Sequence, residues 1–151
     1  MGSIRVGVPA PDFTLRSQSG EEVTLSKLRD KRVVLFFYPK DETPGCTAEA
    51  CSFRDQYDVF AEKGAEVIGI SADSEQSHAR FAAKNRLQMT LLSDPDGAVR
   101  TLYGVKATLG LFPGRVTFVI DREGVVRHVF SSQLFATKHV DEALKALDQM
   151  A

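Results

Sequence analysis

Cys46 and Cys51 are the two cysteines of the chain, and Cys46 lies in the run Asp41-Glu42-Thr43-Pro44-Gly45-Cys46-Thr47, where an extended segment gives way to a helical pattern. Threonine followed by proline marks a helix start: Thr43 suits the N-cap, and Pro44 the first helical position, where a missing N–H costs nothing. Cys46 then falls at the third position, which in a capping box holds a glutamate turned back toward the unpaired amides of the first turn. A thiolate can take that place, because helix N-termini favour negative charge. The chemistry suggested is attack by sulfur on an electrophilic or oxidising partner.

Thiolate formation alone does not make an enzyme. Lowering a thiol pKa from about 8.5 to about 6 raises the thiolate population near neutral pH roughly tenfold, and intrinsic nucleophilicity falls at the same time. Enzymes accelerate reactions about a million-fold or more, so a catalyst built on Cys46 also needs donors aimed at charge developing on the substrate. Thr43 Oγ, the first-turn amides and a nearby arginine are the candidates.

Helical spacing separates the two sulfurs. Cys46, Ala50, Phe53, Tyr57 and Phe60 share a stripe that should face a core, while Thr47, Cys51, Arg54 and Asp58 lie on an adjacent, more polar stripe. Five residues rotate about 140° and rise about 7.5 Å, which sets the two Cα atoms roughly 8 to 9 Å apart. A disulfide needs them within about 7 Å, so a Cys46–Cys51 bond requires the first turns to unwind. Structural readings stand beside these: Cys46 as a small core residue, Cys51 as a half-exposed thiol without a role, and Arg115 as a solvated strand-end charge. Pro39 as strand terminator and Thr43 as cap are compatible with either.

The elements that must position these residues follow from periodicity. Asp12 to Leu15 and Glu22 to Leu25 flank a Ser17-Gln18-Ser19-Gly20 turn, an N-terminal hairpin expected at a sheet edge. Arg32 to Tyr38 is an apolar central strand stopped by Pro39. A helix from about Pro44 to Lys63, ended by Gly64, and a strand from Glu66 to Ser71 complete a βαβ unit with parallel strands. A second helix over Ser74 to Arg86, a short strand over Thr90 to Leu92 and a short helix over Pro95 to Tyr103, entered through Asp94, come next. After a loop over Gly104 to Gly114, Val116 to Ile120 and Val125 to Phe130 form a hairpin around Asp121-Arg122-Glu123-Gly124. A final amphipathic helix runs from Thr137 to Met150. The order predicts one α/β domain over 1–151, thioredoxin-like, with an N-terminal β-hairpin extension and an insertion before the C-terminal hairpin.

Composition limits the function classes. With 151 residues, 43% hydrophobic and 26% charged, the chain is of ordinary globular make-up. A formal net charge of −1 gives no basic surplus to attract nucleic acid. The longest apolar run, Val33 to Tyr38, is far short of the roughly 20 residues of a membrane span, and no apolar signal region is read at the N-terminus. Two cysteines are too few for a secreted disulfide scaffold, which favours intracellular redox use. His78, His128 and His139 lack ligand spacing and read as surface or core residues, so no metal and no cofactor are expected.

At this point the chain resembles a known family. Pro39, Thr43 and Cys46 reproduce the PxxxTxxC signature of peroxiredoxins, and a second cysteine five residues later is similar to the Q-type subgroup, the bacterioferritin comigratory proteins. The similarity runs from about Val8 to Leu147 and includes Pro11-Asp12-Phe13 and Pro113-Gly114-Arg115. It implies a thiol peroxidase acting on hydrogen peroxide and organic hydroperoxides. Cys46 would be the peroxidatic cysteine and Cys51 the resolving one, joined in an intramolecular disulfide that thioredoxin or a similar dithiol protein reduces. Thr43 would hydrogen-bond the peroxide, Pro39 would shield the sulfur, Arg115 would favour the thiolate and the polarised O–O bond, and Glu49 would orient Arg115. A monomer in bacterial cytoplasm is implied, with plastid stroma as the alternative location. Two other functions compete: a disulfide reductase, which normally uses CxxC rather than four spacers, and a redox-sensing or protein-binding module switched by the same disulfide.

Overall fold

The computed structural model describes residues 4–105, 114–132 and 135–150. Its centre is a seven-stranded sheet of β1 (Thr14–Ser17), β2 (Glu22–Thr24), β3 (Arg32–Phe37), β4 (Ala65–Ser71), β5 (Thr90–Ser93), β6 (Val116–Ile120) and β7 (Val126–Ser131), in the spatial order β2-β1-β5-β4-β3-β6-β7. The strands β3, β4 and β5 are parallel, and β6, β7 and the N-terminal hairpin pair antiparallel. The helices are α1 (Pro44–Asp55), α2 (Tyr57–Glu62), α3 (Glu75–Asn85), α4 (Ala98–Leu102) and α5 (Lys138–Gln149). This is the expected thioredoxin-like arrangement. The insertion supplies β5, and the hairpin docks on it, so β2 becomes the edge.

The unbroken apolar run of β3 has a simple cause: the strand is buried on both faces, and the pleat divides its side chains. Val34, Phe36 and Tyr38 point to one core with Cys46, Ala50, Phe53, Phe60, Phe81, Val140 and Leu147, under α1, α2, α3 and α5. Val33, Leu35 and Phe37 point to the other with Phe13, Leu25, Val99, Tyr103 and Phe118, under α4 and the N-terminal segment. Gly69 in β4 makes room for this packing, since a Cβ there would come within 2.7 Å of Phe36 Cζ. That gap lets the Phe36 ring stack on Phe53 of α1 at 4.5 Å, which seats the Cys46 helix on the sheet.

Two expected helices differ. The segment from Pro44 is two helices, broken at Gln56 (φ −104°, ψ 10°), whose amide is shared between the Ser52 and Phe53 carbonyls while its own carbonyl accepts from Phe60 N. The break re-aims the chain so that Phe53 and Phe60 both bury in one core, their rings 5.5 Å apart. The helix expected from Pro95 begins at Ala98 instead. Pro95, Asp96 and Gly97 form a turn, and the Asp94 carboxylate reaches over it to accept from Val99 N and Arg100 N. Asp94 thus caps the helix from further away than a simple N-cap. Residues 106–113, including Pro113 and most of the expected Gly104 to Gly114 loop, lie outside the described residues.

Candidate active site

Cys46 occupies the first turn of α1, 1% exposed, and both cysteines are free thiols. Its neighbour is Arg115, which stands just before β6 and is itself only 5% exposed; Arg115 Nη2 donates to Cys46 Sγ at 3.5 Å. Strand pairing delivers this contact. Phe37 and Val116 are the last partners of the β3–β6 ladder, so the loop after β3 and the residue before β6 emerge side by side beneath the start of α1. Gly45 keeps the approach open, because a Cβ there would lie 3.1 Å from Arg115 Nη2.

A fully buried Glu49, one turn after Cys46, receives Arg115 Nη1 at 2.7 Å. Burial pushes the Glu49 carboxyl up to about 8 against the downward pull of Arg115. Burial works against the Arg115 charge as well, but Glu49 and Cys46 outweigh it and hold the guanidinium above its usual value. Among the described residues, the buried side-chain polar atoms without a hydrogen bond are Glu49 Oε2 and Arg115 Nε. Such atoms cost about 1–3 kcal/mol each, and both belong to the Arg115–Glu49 pair beside Cys46.

Sequence reasoning missed the residues beneath this pair. His139 of α5, fully buried, lies 3.6 Å from Glu49 Oε2 through Nδ1, which also meets Thr117 Oγ1 at 2.8 Å. Its Nε2 faces the Ser132 carbonyl at 2.8 Å and so carries the proton. Burial, with Arg115 nearby, lowers His139 to about 4, so it is a neutral wall for Glu49. A buried histidine on an apolar helix face has no local signal in sequence.

Thr43 is the N-cap residue by position, but its hydroxyl does not cap the helix. It donates to the Lys40 carbonyl at 2.8 Å, and the first helical bond runs from Thr47 N to Thr43 O. The hydroxyl hydrogen is spent on Lys40, leaving the Thr43 oxygen as an acceptor. Pro39 lies two residues past the end of β3 at Phe37 and is half-buried.

The loop between them is anchored through Asp41. Its carboxylate accepts from Tyr38 OH at 2.6 Å and Ser77 OH at 2.8 Å, and its Oδ2 lies 2.7 Å from His78 Nδ1. His78 Nε2 faces the Leu92 carbonyl at 3.0 Å, so one proton sits there and another is held between Nδ1 and Asp41. Asp41 N donates to Asp73. Burial and the Asp41 charge push Tyr38 far up, keeping it a neutral donor. At the other end of α1, Arg54 donates to the Asn85 carbonyl at 2.8 Å, and half-buried Cys51 donates its S–H to Asn85 Oδ1 at 3.7 Å.

Glu49 makes a testable link to pH. A buried acid with a raised pKa favours the folded form most when protonated. That contribution is complete below the ordinary value near 4.5 and is lost as pH rises toward about 8. Urea unfolding at pH 5 and pH 8 should show wild-type protein losing on the order of a few kcal/mol that E49Q, neutral throughout, does not lose. Parallel changes in the two proteins would contradict the assignment.

The AhpC/TSA family model matches residues 6–129. The chain is similar to "Peroxiredoxin Q, chloroplastic" of Sedum lineare, 52% identical over 145 residues that span 95% of this chain and 78% of that protein. Among solved structures it is similar to peroxidoxin BcpB from Mycobacterium tuberculosis, with 43% identity, a TM-score of 0.90 and coverage of 98% of this chain and 99% of that one. It is also similar to the Xanthomonas campestris bacterioferritin comigratory protein, whose structures concern alkyl peroxide reduction through trapped intermediate and ligand complexes. There the identity is 31%, the TM-score 0.87, and the coverage 96% of this chain and 98% of that one.

Proposed function

Since the chain belongs to the AhpC/TSA family, as a thiol-dependent peroxidase of the peroxiredoxin Q kind, we propose that Cys46 is its peroxidatic cysteine and Cys51 its resolving cysteine. The observation that carries the reading is the buried Cys46 sulfur at the start of α1 with Arg115 Nη2 at 3.5 Å. A cation and a helix N-terminus together set positive charge against the sulfur, whose reacting form is the thiolate. That thiolate attacks one peroxide oxygen: an S–O bond forms, the O–O bond breaks, and the leaving hydroxide or alkoxide takes up a proton. Cys46 is left as a sulfenic acid. Arg115 stabilises the charge that spreads over both oxygens, and Glu49 positions Arg115 by holding its other nitrogen. Thr43, with its hydrogen given to Lys40, accepts the O–H of the peroxide. Pro39 closes the loop over the sulfur.

Cys51 then attacks the Cys46 sulfur, forming the S–S bond and expelling water, and a thioredoxin-type dithiol reduces the disulfide. Both thiols lie on one helix, so no second subunit is needed, and we read the protein as a single-domain monomer. A hollow beside α1 lined by Gly45, Ala48 and the exposed Phe135 gives an organic hydroperoxide room for its apolar group. We place the chain in bacterial cytoplasm, with plastid stroma as the alternative that its plant relatives favour.

Peptide mapping of protein treated with one equivalent of hydrogen peroxide tests this reading. The expected product is an intramolecular Cys46–Cys51 link that thioredoxin removes. Peroxide loss with both thiols unmodified would overturn it.

A further inference from the structure

We propose that Arg100 is a positioning residue of the peroxidase site, acting as a side-chain rung that sets Pro39 and Arg115 against each other. The proposal rests on the reading of Cys46 and Arg115 given above.

The β3–β6 ladder stops at Phe37 and Val116. The next residues along each strand, Tyr38 and Arg115, lead into the two segments that frame Cys46. Pro39 has no N–H to continue the ladder, so the strand ends are free to part where the site needs a constant separation. Arg100 spans this gap: its Nη2 donates to the Tyr38 carbonyl at 2.9 Å and its Nη1 to the Gly114 carbonyl at 2.9 Å. One of these carbonyls belongs to the peptide bond of Pro39, the other to that of Arg115. A single planar guanidinium therefore ties the backbone of both residues, a geometry that its fixed fork supplies and a lysine does not.

The rung is itself held. Arg100 N donates to Asp94 Oδ2 at 3.0 Å, and its guanidinium carbon sits 5.9 Å from the centre of the Phe37 ring. Val99 and Tyr103 anchor α4 in the core, and Tyr103 OH donates to the Pro11 carbonyl at 2.7 Å. Burial lowers the Arg100 pKa, and Asp94 and Cys46 act against that.

Positioning and plain charge support differ in what they change. Iodoacetamide needs only a reactive Cys46 thiolate, whereas peroxide needs the thiolate and the aligned Arg115, Thr43 and Pro39. A misplacement of about 1 Å costs on the order of 10²-fold in rate. In a Cys51→Ser background, so that one thiol reacts, stopped-flow rates with hydrogen peroxide and with iodoacetamide are compared for Arg100 variants. R100M is expected to lower the peroxide rate at least about tenfold more than the alkylation rate. R100K keeps the charge but offers one nitrogen, and is expected to stay several-fold below the parent in the same ratio. If R100M does not fold, R100K alone decides. A ratio equal to the parent in the folded variants, including an equal fall in both rates, would overturn the proposal. A peroxidase-active Cys46→Ser protein would instead overturn the reading of the site, so the two failures are distinguishable.

Discussion

Cys46→Ser protein is expected to consume peroxide at least about 10⁴-fold more slowly than wild type in a thioredoxin-coupled assay, a loss on the scale seen when an enzyme nucleophile is removed. Serine differs by one atom and sits where Cys46 is 1% exposed between the apolar core and the Arg115 guanidinium, so the fold should persist. The chemistry does not. A serine hydroxyl is not ionised beside Arg115, and oxygen lacks the polarisable lone pair with which sulfur attacks a peroxide bond. Arg115, Thr43 and the α1 amides then face a substrate with no nucleophile. A circular dichroism spectrum matching wild type, with the coupled rate at background, is the expected pair of results. Retention of the wild-type rate would place the reaction elsewhere in the chain.

What could be read from the sequence was local. The Thr43-Pro44 helix start and the apolar run of β3 are positional features that hold in the structure, and of the Cys46/Ala50/Phe53/Tyr57/Phe60 stripe all but Tyr57 are buried in one core, with Tyr57 half-buried against it. Arg115 was legible only through family resemblance, since no local pattern separates an arginine buried against a thiol from a solvated one. Its partner Glu49 lies 66 positions away in the chain, and only the antiparallel pairing of β3 with β6 brings their segments together. His139, Arg100 and the Asp41–His78 pair were invisible for the same reason: their partners come from strands and helices that meet only after folding. Thr43 shows a different limit. A hydroxyl at an N-cap normally bonds forward into the helix, and nothing in the sequence announces that this one bonds back to Lys40.

If Cys46 and Cys51 join as proposed, the two anchors of α1 bound the motion that this needs. Asp41 is fixed by Tyr38, Ser77, His78 and Asp73, and Arg54 by the Asn85 carbonyl. The stretch between them holds both thiols and begins at Glu42, a non-glycine residue with φ of 67°. Left-handed backbone at such a residue stores on the order of 1 kcal/mol or more, which a change of conformation there would release. Opposing it are the buried Glu49–Arg115 pair and the packing of Phe53.

Cys51→Ser protein should reveal that motion by stopping it short. Serine keeps a donor toward Asn85 Oδ1, so the resting structure is preserved and the first equivalent of peroxide should be consumed at the wild-type rate. Turnover with a thioredoxin system should then fall at least about 50-fold, because the Cys46 sulfenic acid lies in a site 1% exposed and has no thiol on its own helix to condense with. Dimedone should trap that sulfenic acid, and excess peroxide should drive it to the sulfinic acid, read as successive oxygen additions by mass spectrometry. The chain has no tryptophan but three tyrosines, and any tyrosine fluorescence change that accompanies disulfide formation in wild type should be missing from the variant. Sustained wild-type turnover would mean that the reductant reaches Cys46 directly. In that case α1 would not need to open between Asp41 and Arg54, and Cys51 would be a structural thiol.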